Sequence, residues 1–362
     1  IMLLKKRNLF LLLIILIAIL YYYFRPSLQA YLASKNFSVN QKEVVLFIDE
    51  GISLKDLSDF LLKKNVIDDT TNFLVLARHR NLTKKNIADG KYLIKNKTNF
   101  KELVWGFTQN KEGNGNAELK VNVNIYNFKN IYKLAAHVEK CIKVDSDVLI
   151  ELLNSSETLE LFNLNKKEEL ISIFFPKNYR MYFDTDEQDF IKNIKFEYDQ
   201  FWTKDKLEKV KKMGLNSPAE VTTLASIVFS EQSKHADEWP IIAGLYLNRL
   251  KKNIPLQSDP TFKFCWGDQL KGVQDLTYKH RDIDCPYNTY YIKGLPPGPI
   301  CISPSKVIDS VLNVKNVPWI FMMAQANYSG MHHFSITNAQ HEIYRRKYKN
   351  WRNIEKLKKK NK

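Results

Sequence analysis

The sequence predicts an α+β protein with one apolar N-terminal segment and two folded regions of unequal size. An uninterrupted apolar run extends from Leu9 to Phe24, a strand–helix–helix–strand pattern occupies residues 43–109, and a longer mixture of strands and helices follows in residues 119–351. A chain of 362 residues is long enough for two domains with appendages. Its hydrophobic and charged fractions, 44% and 26%, are ordinary for a globular protein.

Residues 1–25 are predicted to be a cytoplasmic tip and a transmembrane anchor. At about 1.5 Å per residue the run Leu9–Phe24 spans roughly 24 Å, slightly less than a hydrocarbon core. Snorkelling of Arg7 and Arg25 can close that gap. A cleaved signal peptide is the alternative, but it is less favoured because no cleavage site with small residues follows the run.

Charges before the run predict its orientation. Lys5, Lys6 and Arg7 precede it, and basic residues before a span favour an N-terminus on the cytoplasmic side. We therefore expect nearly all of the remaining chain outside the cytoplasmic membrane, in a periplasm or its equivalent.

The chain is strongly basic, with 55 Lys and Arg against 39 Asp and Glu and a formal net charge of +16. Such a surplus suits a polyanion, which could be nucleic acid, anionic lipid or acidic wall polymer, and it also suits a merely solvated surface. Outside the basic tail at residues 352–362 the lysines are scattered, and no basic helix with interleaved aromatic residues is present. Nucleic acid is therefore disfavoured.

The four cysteines, Cys141, Cys265, Cys285 and Cys301, are too few and too dispersed for a disulfide scaffold. Their spacing also fits no zinc site. A bridge between Cys265 and Cys285 and buried free thiols are both compatible with the sequence.

After the anchor, residues 26–42 are predicted to form a juxtamembrane linker to a small self-contained unit. Leucines at helical spacing and polar residues at the helix starts define the elements of this unit. They are strand Glu43–Asp49, helix Ser53–Lys64, a helix capped by Asp69, strand Gly90–Ile94 and a helix opened by Asn99. Residues 110–118, rich in Gly and Asn, are the predicted linker to the second region.

The second region opens on a strand with alternating apolar residues, Val121–Ile125. The further predicted elements are helices Ile131–Ile142, Ser146–Leu153 and Asp186–Met213, with a turn into an aromatic strand at Phe174–Tyr179. Unusual polar residues become denser beyond residue 217, so we expect the chemistry there.

Ser217-Pro218-Ala219-Glu220 predicts a helix start, because it supplies an N-cap Ser, a Pro in the first position and a Glu in the third. The helix continues to Glu231, which at about 100° per residue lies close to the azimuth of Leu224 and Val228. Desolvation on that apolar face raises the pKa of a carboxyl, as a general acid near neutral pH requires. The alternative is a Glu231 past the helix end that is solvated or paired with Arg249.

Polar residues beyond this helix are candidate sugar contacts. Asn248 lies near the end of the next helix, predicted over Glu238–Lys251, where an adjacent Arg is usually structural. Gln257 and Asp259 lie in a predicted turn, Leu256–Thr261, and can hydrogen-bond sugar hydroxyls. Asp before Pro is also common turn chemistry, so this assignment has a structural alternative.

Tyr287, Asn288 and Tyr290 precede the loop Gly294–Ile300, whose glycines and prolines predict a rigid wall for a groove. Tyrosine and asparagine suit carbohydrate, which is bound by aromatic stacking and planar amide contacts. His333 lies near the end of the region. A lone histidine is more often a core or capping group than a ligand, and no carboxylate-rich metal spacing accompanies it.

Taken in order, these segments resemble one family, the MltG or YceG-like endolytic murein transglycosylases. The matching segments are Leu224–Glu231, Ala243–Leu250, Leu256–Thr261, Tyr287–Tyr290 and Gly294–Ile300, followed by His333, Phe334 and His341. The resemblance covers nearly the whole chain, and the small first unit resembles the family's LysM-like subdomain. Family members often carry a further glutamate and another polar residue just before the catalytic Glu, where this chain has Phe229 and Ser230.

The resemblance implies cleavage of the β-1,4 bond between N-acetylmuramic acid (MurNAc) and N-acetylglucosamine (GlcNAc) in nascent peptidoglycan. Glu231 would protonate the glycosidic oxygen and then act as base on the muramic C6 hydroxyl, which leaves a 1,6-anhydroMurNAc end. Neither a metal nor an organic cofactor is implied, and the family suggests wall-synthesis enzymes as partners. The expected groove lining is Gln257, Asp259, Tyr287, Asn288, Tyr290, Asn248 and His333.

Two other functions stay open from the sequence. A non-catalytic peptidoglycan-binding membrane anchor would need no carboxylate on an apolar helix face. A muramidase-type hydrolase would use Asp259 as the second carboxylate that glycoside hydrolysis normally requires. The absence of another evident partner for Glu231 favours the transglycosylase, in which the substrate supplies the nucleophile.

Overall fold

The computed structural model describes residues 2–49, 51–108, 120–270, 272–273 and 276–360, with the side chains of residues 2–13 and 359–360 left aside. The chain divides into two compact units. The first contains residues 1–122, 141–143 and 180–185, and the second contains residues 123–140, 144–179 and 186–362. The predicted linker at residues 110–118 lies outside the described part of the chain.

Helix α1, Met2–Ala33, contains the predicted anchor and continues past it. Ala30 and Ala33 are buried in the core of the first unit, where α1 packs against α3, Thr70–His79. Because this packing holds the end of α1 in place, residues 26–33 are helical rather than part of the expected linker. Within the described part of the chain, no helix is long and apolar enough to cross a membrane.

The first unit follows the predicted strand–helix–helix–strand order. Its elements after α1 are β1 Val44–Ile48, α2 Leu54–Lys63, α3 Thr70–His79, β2 Gly90–Ile94 and α4 Phe100–Gly106. β1 and β2 pair antiparallel, with Val44 opposite Ile94. The caps predicted at Asp69 and Asn99 are present, since each side chain accepts a backbone N–H from the helix that follows, and Ser53 caps α2 in the same way.

Strands β3, Lys120–Ile125, and β4, Lys177–Tyr182, form a two-stranded sheet. Helices dominate the rest of the chain. They are α5 Ile131–Glu139, α6 Ser146–Leu153, α7 Ser156–Leu161, α8 Glu187–Phe201, α9 Lys204–Lys212, α10 Pro218–Glu231, α11 Trp239–Lys251, α12 Asp259–Trp266, α13 Tyr278–Arg281, α14 Ser305–Leu312 and α15 Asn338–Lys360. An antiparallel hairpin, β5 Phe321–Ala324 and β6 His332–Ser335, precedes α15.

Three elements differ from the sequence prediction, and two of the differences have local physical causes. The helix expected over residues 186–213 is two helices, because the chain turns at Trp202, whose ring is buried against Phe201 and Tyr198. The expected turn at residues 256–261 contains the start of α12, since Pro260 is well suited to a first helical turn. The basic tail continues α15 as far as Lys360.

The sequence left open whether the cysteines form a bridge or are free thiols, and the structure contains both. Cys265, near the end of α12, forms a disulfide with Cys285 in the segment after α13. Cys301 is a buried free thiol. The bridge therefore ties α12 to the chain that leads into Tyr287 and Tyr290.

Helix α10 is the centre of the second unit. Ser217 caps it by accepting the N–H of Glu220 at 3.2 Å, as predicted, and every residue from Val221 to Val228 is buried. The helix packs against α11, α12 and α14. A helix enclosed in this way has no freedom to rotate or slide, so the position of Glu231 at its end is fixed.

The loop rich in glycine and proline is held rigidly against its surroundings. The backbone N–H of Ile300 donates to Ser226 Oγ of α10 at 3.0 Å. A Cβ atom on Gly298 would lie 1.9 Å from the carbonyl oxygen of Glu168. Only glycine allows this approach, so the loop is fixed by packing as well as by its prolines.

Gly298→Ala is expected to lower the free energy of unfolding by about 3 kcal/mol, because the added methyl group must displace a backbone carbonyl. Urea denaturation of the variant and the wild type measures the difference. Lys251→Ala, an exposed change at the end of α11, is the control and should stay within about 0.5 kcal/mol of the wild type. A Gly298→Ala protein as stable as the control would contradict the close approach.

Candidate active site

The carboxyl group of Glu231 is held at the end of α10 by two hydroxyl groups. Tyr246 Oη donates to Glu231 Oε1 over 2.9 Å, and Ser258 Oγ donates to the same oxygen. Tyr246 comes from the middle of α11, Ser258 immediately precedes α12, and both are buried. Three helices therefore converge on one carboxylate oxygen.

The other carboxylate oxygen, Glu231 Oε2, is the one left for a ligand. Among the described residues, none donates a hydrogen bond to it, and the residue as a whole is partly exposed. Because two donors occupy Oε1, a proton on this carboxyl belongs on Oε2. The geometry thus separates an oxygen that is held from an oxygen that can deliver a proton.

Burial raises the pKa of the Glu231 carboxyl above its ordinary value of 4.5. The hydrogen bonds from Ser258 and Tyr246 lower the pKa because they favour the ionised form, and the nearby charge of Asp259 raises it further. Desolvation is the largest of these effects. Glu231 therefore keeps its proton to a higher pH than a solvated glutamate, which is what the apolar helix face led us to expect.

Arg249 does not pair with Glu231, so the ion pair considered as an alternative is absent. Its Nη2 donates to the side-chain oxygen of Gln257 over 2.6 Å, and its other nitrogens donate to the backbone oxygens of Pro255 and Ile320 at 2.8 Å. Gln257 itself has a left-handed backbone, with φ of 53°. Arg249 therefore fixes a strained turn immediately before Ser258.

Ser258 is positioned by two buried threonines. Its backbone N–H donates to Thr289 Oγ1 at 3.0 Å, and its carbonyl oxygen accepts from Thr261 Oγ1 at 2.6 Å. The backbone N–H of Gln257 also donates to the carbonyl oxygen of Thr289 at 2.9 Å. The donor to Glu231 is thus attached to the segment that carries Tyr287 and Tyr290.

The structure brings Asp259 and Tyr290, both predicted to line the groove, together next to Glu231. Tyr290 Oη donates to Asp259 Oδ1 over 2.6 Å, and the guanidinium carbon of Arg281 lies 4.8 Å from the centre of the Tyr290 ring. Desolvation and then the charge of Asp259 raise the pKa of the Tyr290 hydroxyl. The charge of Asp259 therefore raises the pKa of both the Tyr290 hydroxyl and the Glu231 carboxyl.

Tyr287 is half-buried, and its ring packs against Phe264 of α12 with centroids 4.6 Å apart. Burial raises the pKa of its hydroxyl to about 12. The side chain of Gln257 is exposed, although Arg249 engages its oxygen. Both residues remain available to a ligand, one through its ring and hydroxyl, the other through its amide nitrogen.

Three other predicted contacts have structural bonding partners. Asn288 is fully buried, and its amide nitrogen donates to two backbone carbonyl oxygens at 2.7 and 2.9 Å, so it cannot line a groove in this structure. Asn248 likewise donates to two carbonyl oxygens before β5, at 2.6 and 3.1 Å. The ring of His333 stacks on Tyr344 with centroids 4.4 Å apart. None of these three makes a described contact with Glu231.

A buried group beside Glu231 was not anticipated from the sequence. Glu238 Oε2 accepts a hydrogen bond from the amide of Gln232 at 2.7 Å, and Oε1 accepts one from the backbone N–H of His332 at 2.8 Å. His332 Nδ1 lies 2.8 Å from Glu238 Oε2. The electrostatic interaction with His332 lowers the pKa of Glu231, against the larger effect of desolvation. Successive side chains of a strand face opposite sides, so His332 rather than His333 faces this site.

The signal for Tyr246 and Ser258 was present in the sequence, because both lie inside the segments that carry the family resemblance. A hydroxyl group on a buried helix face gives no sign of its partner until the facing element is known. Among the described residues, no group of three or more His, Cys, Asp or Glu could hold a metal ion.

Comparison with known proteins identifies the family of the chain. The model of the YceG-like family matches residues 46–347. The chain belongs to the YceG-like family. This match confirms the resemblance seen in the sequence.

Two relatives and one solved structure illustrate this YceG-like membership. The chain is 32% identical over 211 residues to the endolytic murein transglycosylase of Bacillus subtilis (strain 168), covering 57% of this chain and 56% of that protein. It is 35% identical over 97 residues to the endolytic murein transglycosylase of Streptococcus pneumoniae (strain ATCC BAA-255 / R6), covering 26% and 17%. The match thus spans about half the length of the Bacillus protein.

The solved structure is a yceG-like protein from Listeria monocytogenes, which is 23% identical, with a TM-score of 0.52 and coverage of 84% of this chain and 99% of that one. At this identity the likeness shows the fold, which is a mixed α/β architecture shared with a YceG-like protein.

The Glu231→Gln protein is expected to become more stable relative to the wild type as pH rises. The folded-state pKa of Glu231 lies above its unfolded value, so the folded state binds more protons than the unfolded state between those two pKa values. The wild type therefore loses stability as pH rises through that window, whereas the neutral amide does not. Urea denaturation of both proteins from pH 4 to pH 8 measures the difference. A difference that stays constant with pH would contradict the desolvation of Glu231.

Proposed function

We propose that the protein is an endolytic lytic transglycosylase that cleaves the MurNAc-β-1,4-GlcNAc bond of nascent peptidoglycan strands and leaves 1,6-anhydroMurNAc ends. The observation that carries the proposal is the desolvated carboxyl of Glu231, with Oε1 held by Tyr246 and Ser258 and Oε2 open. Support also comes from the relatives named endolytic murein transglycosylase.

In the first step, the proton on Glu231 Oε2 passes to the glycosidic oxygen as the bond from that oxygen to C1 of MurNAc breaks. A neutral carboxyl is needed for this step, and burial favours the neutral form because it raises the pKa of Glu231. The hydroxyl groups of Tyr246 and Ser258 then stabilise the carboxylate that remains, because both already donate to Oε1. GlcNAc leaves with the transferred proton.

In the second step, the Glu231 carboxylate removes the proton from the C6 hydroxyl of the same MurNAc residue, and O6 bonds to C1. The ring closes as a 1,6-anhydro sugar, and Glu231 regains the proton that it gave up. No water enters the reaction and no second carboxylate is required. Asp259 is not needed as nucleophile or base, and in this scheme its charge raises the pKa of Glu231.

A muramidase-type hydrolase is the second candidate, and the position of Asp259 is the observation in its favour. Asp259 lies near enough to Glu231 to raise its pKa, as the second carboxylate of a glycosidase would. One of its oxygens, however, already accepts the hydroxyl of Tyr290. A non-catalytic peptidoglycan-binding anchor is the third candidate. It is less favoured because binding alone does not require a desolvated carboxyl at Glu231.

The arrangement along the chain is part of the same proposal. Residues 9–24 would anchor the protein in the cytoplasmic membrane, with the N-terminus inside and the catalytic region, residues 119–351, outside. The first unit would act as a LysM-like glycan-binding module, which its strand–helix–helix–strand order supports. Peptidoglycan strands are the proposed substrate, and wall-synthesis enzymes are proposed partners on the basis of family resemblance.

Mass spectrometry of digested peptidoglycan distinguishes the three functions. The wild type is expected to release anhydro ends, whereas a hydrolase releases reducing ends and a binder releases nothing. Glu231→Gln should lower kcat by about 10³-fold or more, because the proton donor is lost. Glu208→Gln, an exposed change on α9, is the matched control and should leave kcat unchanged. Substantial cleavage by a folded Glu231→Gln protein would rule out the mechanism.

Tyr246→Phe is expected to move the alkaline limb of the pH–rate profile to higher pH. The lost hydroxyl favours the ionised form of Glu231, so its removal raises the pKa of that carboxyl further. The rate at the optimum should fall about tenfold, since one hydrogen bond to the carboxylate that forms on Glu231 is lost. Tyr198→Phe, a buried tyrosine of α8 without a bond to Glu231, is the control. A limb that moves to lower pH would be inconsistent with this role of Tyr246.

A further inference from the structure

A cavity of about 300 Å³ lies in the second unit beside the segment that carries Glu231. Phe229, Ser230 and Ser233, which flank Glu231 in sequence, form one side of it, and Lys263 and Phe264 of α12 form another. Ser258, the residue before α12, donates to Glu231. The cavity and the carboxyl group therefore share the same two structural elements, the end of α10 and the start of α12.

Two lysines give the cavity a positive charge. Lys129 contributes from the loop before α5, and Lys263 contributes from α12. None of the lining residues carries a carboxylate, and within the described ranges neither lysine has an acidic partner. Burial raises the pKa of the Cys301 thiol and the charge of Lys129 lowers it, so the lysine acts on another residue of the cavity lining. An anion entering here meets no carboxylate among the lining residues.

The remaining walls supply hydroxyl donors and apolar surface. Ser230 and Ser233 are exposed to the cavity, and Ser230 Oγ lies 3.7 Å from the sulfur of Cys301. Phe229 and Phe264 are half-buried aromatic walls. This combination suits a carboxylate on a short, partly apolar chain rather than a bare inorganic ion, which would leave the aromatic walls unused.

The position of Lys129 is fixed by the fold on both sides. The backbone N–H of Ile302 donates to the carbonyl oxygen of Phe128 at 3.0 Å, which attaches the loop to the segment next to Cys301, a residue of the cavity lining. Asn130, which follows Lys129, caps α5 by accepting the N–H of Lys133 at 2.9 Å. The main chain is therefore held in place before a ligand arrives, and only the lysine side chain must be ordered.

We propose that this cavity binds a carboxylate of the peptide stem carried by the MurNAc residue whose bond is cleaved, an inference that rests on the proposed function. The stem is attached at C3 of the same sugar ring whose C1–oxygen bond breaks, so it must leave that ring near Glu231. Phe229 and Ser230 line the cavity, and neither carries a charge that would repel the stem.

The test compares two substrates prepared from the same uncrosslinked glycan strands, one with its peptide stems and one from which an amidase has removed them. For each protein the kcat/KM value on peptide-bearing strands is divided by the value on naked strands. In the wild type this ratio should exceed one. The double substitution Lys129→Gln, Lys263→Gln should lower it about tenfold, because two charge-assisted contacts are lost.

Two further variants make the result specific to the cavity. Phe229→Glu, which adds a negative charge to the wall, should lower the ratio in the same direction as the lysine substitutions. Lys212→Gln, an exposed change on α9, removes one positive charge elsewhere and should leave the ratio as it is in the wild type. Added salt should reduce the ratio of the wild type more than that of the double variant.

A wild-type ratio of one, or a double variant with the wild-type ratio, would overturn the proposal even if cleavage itself is normal. If the wild type cleaves neither substrate, the proposed function fails instead. In that case, calorimetric titration of the Glu231→Gln protein with both strand preparations still tests the cavity. Tighter binding of peptide-bearing strands that depends on Lys129 and Lys263 would support it, and equal binding of both preparations would refute it.

Discussion

The burial of α10 is the constraint on which the chemistry of Glu231 depends. Because every residue from Val221 to Val228 is enclosed, the helix delivers its last side chain to one position, where Tyr246 and Ser258 converge on it. Those hydroxyl groups favour the ionised carboxylate, yet desolvation exceeds their effect and raises the pKa. The same enclosure that stabilises the fold therefore prepares the carboxyl to hold a proton.

Glu231 is partly exposed and Glu238 is buried, and the surroundings of these two acids assign them different roles. Both oxygens of Glu238 are occupied, by Gln232 and by the backbone and ring nitrogens of His332, so this acid serves the structure. Glu231 has both of its donors on one oxygen and leaves the other open. A buried charge is tolerated where its bonding capacity is filled, and an unfilled oxygen in such a place indicates function.

Local signals predicted what depends on local chemistry. The cap at Ser217, the helical spacing that turns Glu231 inwards and the proximity of Asp259 and Tyr290 follow from short stretches of sequence and from the family resemblance. Asn288 and Asn248 could not be assigned correctly in the same way, because a polar amide is equally suited to a sugar and to a backbone carbonyl. Which of His332 and His333 faces the site depends on strand register. The partners of Tyr246 depend on how the helices pack. Both are properties of the tertiary fold.

In the proposed reaction Asp259 contributes a fixed negative charge and does not act as a reagent. A hydrolase needs a second carboxylate to bind water or attack carbon, whereas the proposed reaction needs none. Asp259 Oδ1 accepts the hydroxyl of Tyr290, which holds the charge in place. A charge held there disfavours a second negative charge on Glu231, so it adds to the effect of desolvation and raises the pKa of that carboxyl. With the nucleophile supplied by the sugar's own C6 hydroxyl, one mobile proton on Glu231 Oε2 is enough for both steps, and the surrounding hydroxyl groups need only hold Oε1 still.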